Sequence, residues 1–452
     1  MARSDPARLK RRFPGSIGFA AAILVVALAV LAAVTPATHL ARPEIGAELR
    51  AAAAAVIFTA SYIAIAIGKI PGLSIDRAGI ALVGASLMVV SGALTPEEAY
   101  QAIDLDTITL LLGVMIVVAN LRLSGFFAAA TEWIARRARQ PLVLLAAVIG
   151  ISGFFSAFLV NDTICLVLTP LVLDLTARLG RKPLPYLLAL AMASNVGSTA
   201  TITGNPQNIM IGSFSRIPYA AFTAALGPVA LAGLVAIMVL IVVFFRGAFA
   251  GETWPYQDLP SPRINRPLTW RALIATAAMV ALFFAGQPPA KVAIAIGGVL
   301  LLTRRLKSTR IYAEIDWSLL LMFAGLFIIV AGAQRVLLTP EMIGAIGRAH
   351  LDHVPVLAAV TAIVSNIVSN VPAVLMIRPF IEPMPNHDLA WLTVAMASTL
   401  AGNFTVLGSI ANLIVVQKAA ARGIVISFWD YFRVGAPLTL ITLGIGVFWL
   451  SR

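Results

Sequence analysis

Residues 154–173 read FFSAFLVNDTICLVLTPLVL and residues 191–208 read AMASNVGSTATITGNPQN, while residues 363–382 read IVSNIVSNVPAVLMIRPFIE and residues 395–412 read AMASTLAGNFTVLGSIAN. The second pair repeats the first. Ser156/Ser365, Asn161/Asn370, Leu166/Leu375 and Pro170/Pro379 are each 209 apart, and Ala191/Ala395, Ser194/Ser398, Thr201/Thr405, Gly204/Gly408 and Asn208/Asn412 are each 204 apart. In each half, a hairpin-like apolar segment broken at Asn is followed by an apolar segment interrupted by Gly, Ser, Thr and Asn. Two interrupted apolar segments at corresponding positions of two halves are the sequence pattern of a secondary transporter's binding site.

Composition makes the bilayer the solvent of this chain. Of its 452 residues, 60% are hydrophobic and only 12% charged, and the mean hydropathy is +0.93. That leaves too little polar surface to cover a soluble domain. A span needs roughly 20 residues. Eleven spans are read near residues 17–35, 51–68, 78–94, 106–124, 184–214, 221–245, 271–286, 290–303, 316–333, 389–417 and 434–450. Residues 141–178 and 353–382 remain as two re-entrant hairpins. The fold class expected is therefore an all-α polytopic membrane protein with two broken helices.

Charge placement orients these spans. With the N-terminus cytoplasmic, 25 of the 33 Lys and Arg fall inside, 7 fall outside, and Arg378 lies in a hairpin; this is the positive-inside asymmetry. It holds only if both hairpins return to the side they left, so that Arg136 and Arg137 share a face with Arg178 and Arg181. Five crossings then separate equivalent points, and the two halves are inverted repeats. The net charge of +13 is thereby a matter of topology, and nucleic acid is not expected as a partner. The domains expected are an N-terminal segment with the first helix (1–50), a first repeat (51–245), a cytoplasmic linker (246–270) and a second repeat (271–452), with broken helices at 184–214 and 389–417.

The basic N-terminus is read as part of a retained first helix rather than a signal peptide. The single Cys165 excludes an internal disulfide, and His39, His350, His353 and His387 all fall in expected outer loops. No HExxH, GxSxG, P-loop or DDxxD motif is present, so protease, ATP-driven pump and prenyl-transfer chemistry lack their residues. A membrane enzyme would need a nucleophile with a base; neither the thiol nor the acids have a histidine at their depth. Amphipathic segments beginning at Thr131 and Pro340 are expected to lie along the membrane faces.

Backbone polar groups in hydrocarbon need partners, so each break must line a cavity or be covered by protein. A helix restarted in mid-membrane presents N–H groups and partial positive charge, which favours an anion. Four such half-helices are expected to converge, two of them capped by the tip residues 160–163 and 369–372. The substrate-binding candidates are Asn161, Thr163, Ser198, Thr199, Thr201, Gly204, Asn205, Ser369, Asn370, Asn403, Thr405, Gly408 and Ser409. Gly197, Gly204, Gly402 and Gly408 would let the backbone bend and approach a ligand. Asp162, Asn208 and Asn412 are the ion-coupling candidates: an intramembrane carboxylate is a functional hypothesis by default, here as proton acceptor, Na⁺ ligand or helix cap. Arg378 either snorkels to an interface or attracts an anion.

At FLVNDTICLVLTPLV, ASNVGSTATITGNPQNIMIGS, SNVPAVL, NFTVLGSIANLIV and ISFWDYFRVGAP the chain resembles the arsenite permease and Na⁺/H⁺ antiporter branch of the ion transporter superfamily, which also holds citrate and dicarboxylate carriers. The carboxylate carriers read Ser-Asn-Thr at both hairpin tips; here only Asn161 with Thr163 and Ser369 with Asn370 match. The resemblance implies a homodimer in a bacterial-type inner membrane, working as an elevator with a mobile unit of hairpins and broken helices. It implies a small anion or oxyanion substrate, arsenite or antimonite efflux leading, with H⁺ or Na⁺ as coupling ion and no other cofactor. A coupled carboxylate carrier, a Na⁺/H⁺ antiporter and, outside the transporters, an anion channel are the alternatives.

Overall fold

The computed structural model describes residues 43–67, 74–137, 140–249, 264–303, 306–337 and 350–452. The expected first span at 17–35, His39, the amphipathic segment from Pro340 as far as residue 349 and most of the linker lie outside the described residues. Of the described residues 82% are helical, and no strand occurs among them.

Helices occur where the apolar runs and their breaks require them. Single helices cover Pro43–Ile67, Arg77–Val90, Leu105–Leu123, Tyr219–Phe244, Arg266–Phe284, Pro289–Leu301, Trp317–Leu337 and Phe428–Leu450. Several of these starts, and that of the short helix Pro96–Ala102, are set by side chains that satisfy the first free N–H groups. Asp76 accepts from Gly79, Asp104 from Thr107, and Thr95 with Glu98 and Ser427 with Asp430 form capping boxes. Seven of the described helices are long and apolar enough to cross a membrane. Pro289–Leu301 has 13 residues, about 20 Å by helical rise.

The lipid-facing surface is legible on Tyr219–Phe244. Leu231 and Val235 are 67% and 64% exposed, and Val239 and Val243 continue the same i, i+4 line. Such a row of bare aliphatic side chains is what a helix facing acyl chains presents.

The helices group into two compact units. One comprises residues up to Ile103 together with Leu321–Thr339. Within it, Gly84 lets Arg77–Val90 close on Ser61 and Ile329, and Gly325 lies against the Ala81 backbone. Arg335 is ion-paired to Glu98.

The other unit comprises Asp104–Leu320 and Pro340–Arg452, and contains both hairpins and both broken helices. The first hairpin is Pro141–Phe158 followed by Asn161–Arg178; the second is Val354–Val368 followed by Asn370–Ile381. Both return to where they began. Arg178, at the end of the first, bonds Glu132 at 2.8 Å, and Glu132 also holds Arg136 at 3.1 Å, so the basic residues before and after the hairpin meet on one carboxylate. The second hairpin's two ends line one cleft, with Asp352 and Val354 facing Met384, Pro385 and Asn386. The broken helices are Leu184–Ser198 with Pro206–Ser215, and His387–Ala401 with Ile410–Ala420; a short 3-10 turn, Ile202–Gly204 or Val406–Gly408, sits in each gap.

Candidate functional site

The hairpin tips turn through left-handed backbone. Val160 (φ 58°) and Ser369 (φ 79°) each stand immediately before the second arm, a conformation that costs a non-glycine residue of order 1–3 kcal/mol and persists where surrounding structure enforces it. Neither Val160 nor Ser369 caps its second arm with its own side chain. Of the residues expected to cap, Val160 and Ser369 make no such bond, and Asn161 and Asn370 open the helices with their amides pointing elsewhere. The restarted halves of the broken helices are the capped ones. Asn205 accepts from the Asn208 N–H at 2.9 Å, and Ser409 accepts from the Ala411 N–H at 3.2 Å. Of the four N-termini expected to offer N–H groups, these two are occupied by their own side chains, leaving the hairpin arms.

The amides meet on a residue that the sequence reading passed over. Asn195, 1% exposed in the first broken helix, accepts on Oδ1 from Asn161 Nδ2 (2.9 Å) and Ser409 Oγ (3.0 Å). Its Nδ2 donates to Asn403 Oδ1 (2.9 Å) and Asn412 Oδ1 (3.0 Å). All four hydrogen-bonding positions of the amide are thus filled. One side chain joins the first hairpin, the first broken helix and the second broken helix.

Its counterpart 204 residues later is Thr399, also buried. Thr399 Oγ1 receives Asn205 Nδ2 (3.1 Å) and Gln207 Nε2 (3.2 Å) and lies 3.4 Å from Asn208 Oδ1. Each half therefore reaches into the other at equivalent positions: Asn205 to Thr399, and Ser409 to Asn195. Gln207 also donates to Asn370 at 3.2 Å when the Asn370 amide is oriented to satisfy both its ends; Asn370 then donates to Ser365 Oγ (2.7 Å) and to the carbonyls of Ser398 and Gly408 (both 3.2 Å). The second hairpin tip is in this way satisfied internally. At the first tip, the equivalent Ser156 Oγ and the Asn161 Oδ1 are buried without a partner.

Asn208 and Asn412, the two ion-coupling amides read from sequence, sit as braces. Asn208 Nδ2 bridges the carbonyls of Ser198 (3.1 Å) and Thr201 (3.0 Å), and Asn412 Nδ2 bridges those of Gly402 (2.8 Å) and Thr405 (3.2 Å). These carbonyls lost their helical partners at the break, and the amides replace them. Ser198 Oγ receives Asn205 Nδ2 (2.9 Å), and the Thr199 hydroxyl turns back to the Asn195 carbonyl (3.3 Å). Thr201 bonds the Ala157 carbonyl below the first tip, and Thr203 reaches the Tyr219 hydroxyl at 2.7 Å.

The glycines approach protein backbone, which corrects the expectation that they approach a ligand. A Cβ on Gly197 would stand 2.3 Å from the Gly153 carbonyl oxygen, and one on Gly204 would stand 2.1 Å from the Ser198 carbonyl oxygen. Gly408 faces the Gly402 carbonyl and Asn366 Oδ1, the latter buried and unpartnered. Asp162 and Thr163 lie half-buried in the first turn of the first hairpin's second arm, and Ser369 is half-buried at the second tip. Cys165, one turn on from Asp162, lies 3.0 Å from Ser194 Oγ. Arg378 stays outside the cluster, paired with Glu382 at 2.7 Å and stacked 4.0 Å over the Phe214 ring.

A separate cleft of about 810 Å³ opens beside the first break, with Ile202 and Tyr219 in its wall and Arg216, Lys291, Gln287 and Asp106 around it. Arg216 and Lys291 are both exposed. The central cluster, by contrast, contains amides and hydroxyls and no Lys, Arg or His among the described residues.

Comparison with known proteins places these features in context. A family profile described as citrate transporter matches residues 62–401. An uncharacterized transporter of Mycobacterium tuberculosis is 29% identical, over 88% of this chain and 97% of its own. A silicon efflux transporter of Oryza sativa subsp. japonica is 28% identical, over 84% of this chain and 93% of its own. Among solved structures, the YdaH transporter of Alcanivorax borkumensis, described as having an unusual topology, superimposes with a TM-score of 0.54 at 13% identity, covering 89% of this chain and 97% of that one. That likeness establishes a shared fold.

Proposed function

The chain belongs to the citrate transporter family, and from that premise we propose that this secondary transporter carries a small hydroxylated oxyacid or oxyanion by ion-coupled alternating access, arsenite or antimonite efflux being the leading case. The observation that carries the reading is the neutral amide and hydroxyl cluster, in which Ser156 Oγ, Asn161 Oδ1 and Asn366 Oδ1 are buried without a protein partner. Arsenous, antimonous and silicic acids are weak acids, largely uncharged at neutral pH, and present several O–H groups to any site. Amide oxygens and hydroxyls match such a ligand, whereas an unpaired cation would favour a fully ionised one. The relative named a silicon efflux transporter supports the same class.

The substrate would bind between the two tips and the two breaks, where the first turns of the hairpin arms would offer it N–H groups. Asp162 at the first tip, beside the unpartnered Asn161 Oδ1 and Ser156 Oγ, would take the coupling H⁺ or Na⁺; oxygen ligands of this kind suit a hard cation. The moving body would be the hairpins and broken helices together, in a homodimer whose two repeats are inverted. Cross-links within the second unit support that grouping: the amide cluster, and a surface pair between Asp174 of the first hairpin and Arg422 after the second broken helix at 2.7 Å.

A carboxylate carrier is the second reading. It is favoured by the family description and by the Arg216 and Lys291 cleft, which would concentrate anions. The two are separated by measuring flux of arsenite, silicate, citrate and succinate into liposomes bearing the purified protein, with pH and Na⁺ gradients imposed separately. Arsenite or silicate flux driven by pH or Na⁺ supports the leading reading. Saturable citrate or succinate flux with none of the metalloids would replace it with the second.

A further inference from the structure

Two of the chain's four histidines fall within one four-residue stretch, His350-Leu351-Asp352-His353, at the entry to the second hairpin. His350 is in the left-handed region (φ 52°), and its carbonyl accepts from the His353 N–H at 3.1 Å. This closed turn puts both imidazoles on the same side, with ring centroids 5.8 Å apart. Asp352 sits between them in sequence, and its Oδ2 is 3.9 Å from His353 Nε2. One ligand atom from each of the three residues can be chosen such that all lie within 4.8 Å of one another.

We propose that His350, Asp352 and His353 bind Zn²⁺ or a chemically similar transition-metal ion at the base of the second hairpin. Two imidazoles and a carboxylate are a ligand set that Zn²⁺ accepts, with water completing the tetrahedron. Zn–N and Zn–O bonds near 2.0–2.1 Å place ligand atoms about 3.4 Å apart, so the three must close by roughly 1.5 Å. All three side chains are exposed, and rotation about their own bonds supplies that movement while leaving an open route for the ion.

The turn is also well placed to be felt elsewhere. His353 directly precedes the arm Val354–Val368, and Asp352 lines a cleft of about 160 Å³ with Met384, Pro385 and Asn386, the segment that joins the second hairpin to the second broken helix. An ion held here would order the turn that opens the hairpin, beside the segment that follows its end. The site is independent of which solute the protein carries.

Untagged full-length protein in detergent, stripped with EDTA, is titrated with ZnCl₂ by calorimetry. One Zn²⁺ per chain is expected at about pH 7.5. His350→Ala with His353→Ala should weaken binding by more than the ~100-fold that follows loss of an outer-shell partner. His387→Ala, which removes an exposed histidine 3.3 Å from Asp388, should leave it intact. Matching elution volumes and melting temperatures without Zn²⁺ establish that each variant is folded. Absence of saturable binding, its persistence in the double variant, or equal loss on His387→Ala would each overturn the assignment.

Discussion

Replacing Asn195 by Ala removes four hydrogen bonds at once, to Asn161, Ser409, Asn403 and Asn412. Ser409 keeps its bond from the Ala411 N–H, and Asn403 Oδ1 keeps a long contact of 3.4 Å with the Tyr431 hydroxyl. Asn161 Nδ2 and Asn412 Oδ1 have no other side-chain or backbone partner among the described residues. Each buried group left unsatisfied costs about 1–3 kcal/mol, so the variant should lose about 2–6 kcal/mol, the lower end applying if water enters. Since the groups set adrift belong to the first hairpin and the second broken helix, the loss should appear in transport as well as in melting temperature. Asn195→Asp separates geometry from chemistry. It keeps the shape and the acceptor for Asn161 and Ser409, but turns the donor into an oxygen facing the Asn403 and Asn412 oxygens. An ionised carboxylate there is repelled and a protonated one donates again, so residual transport in Asn195→Asp should rise as pH falls. The control is Asn120→Leu, which removes a buried amide outside the cluster whose Oδ1 is itself unpartnered; transport should persist. Asn195→Ala with wild-type melting and wild-type flux would refute the claim that this amide joins the two halves.

Three further outcomes are expected. Asp162→Asn should abolish the dependence of flux on the coupling ion while substrate still protects the protein from thermal unfolding; unchanged pH and Na⁺ dependence in proteoliposomes would leave Asp162 outside the coupling step. Gly197→Ala must displace the Gly153 backbone, 2.3 Å from the added carbon, and should lower the yield of folded protein sharply, whereas Gly298→Ala, with nothing within 4 Å, should be neutral or stabilising by up to about 1 kcal/mol; size-exclusion profiles and melting curves compare them. At the start of Pro96–Ala102, the Thr95 backbone N–H and then Arg335 hold the Glu98 carboxyl below its ordinary value of 4.5. A depressed carboxylate stabilises above its unfolded value and loses that contribution as pH falls through the lowered one, so amide exchange at residues 95–99 should speed up below about pH 4.5 in the wild type and be pH-insensitive in Glu98→Gln once the intrinsic rate is corrected for.

The sequence by itself determined that this is a helical membrane protein, where its hairpins and breaks fall, and that the two halves correspond. These properties are written locally or by repetition: run length sets a span, Gly, Ser, Thr and Asn interrupt one, and constant offsets of 204 and 209 survive in any fold. The candidate residues were legible for the same reason, as polar positions within apolar segments. Their roles were not. Asn195 and Thr399 stood in the duplicated stretches as ordinary polar residues, and only the fold brings partners 194 to 217 positions away within reach. The tertiary structure likewise decided that Asn208 and Asn412 brace broken backbone, that Asn205 and Ser409 consume two of the four helix N-termini, and that Gly197 exists to admit Gly153. A polar side chain in a bilayer must find a partner, but which partner it finds depends on the packing of segments far apart in the chain, and that is information no local pattern carries.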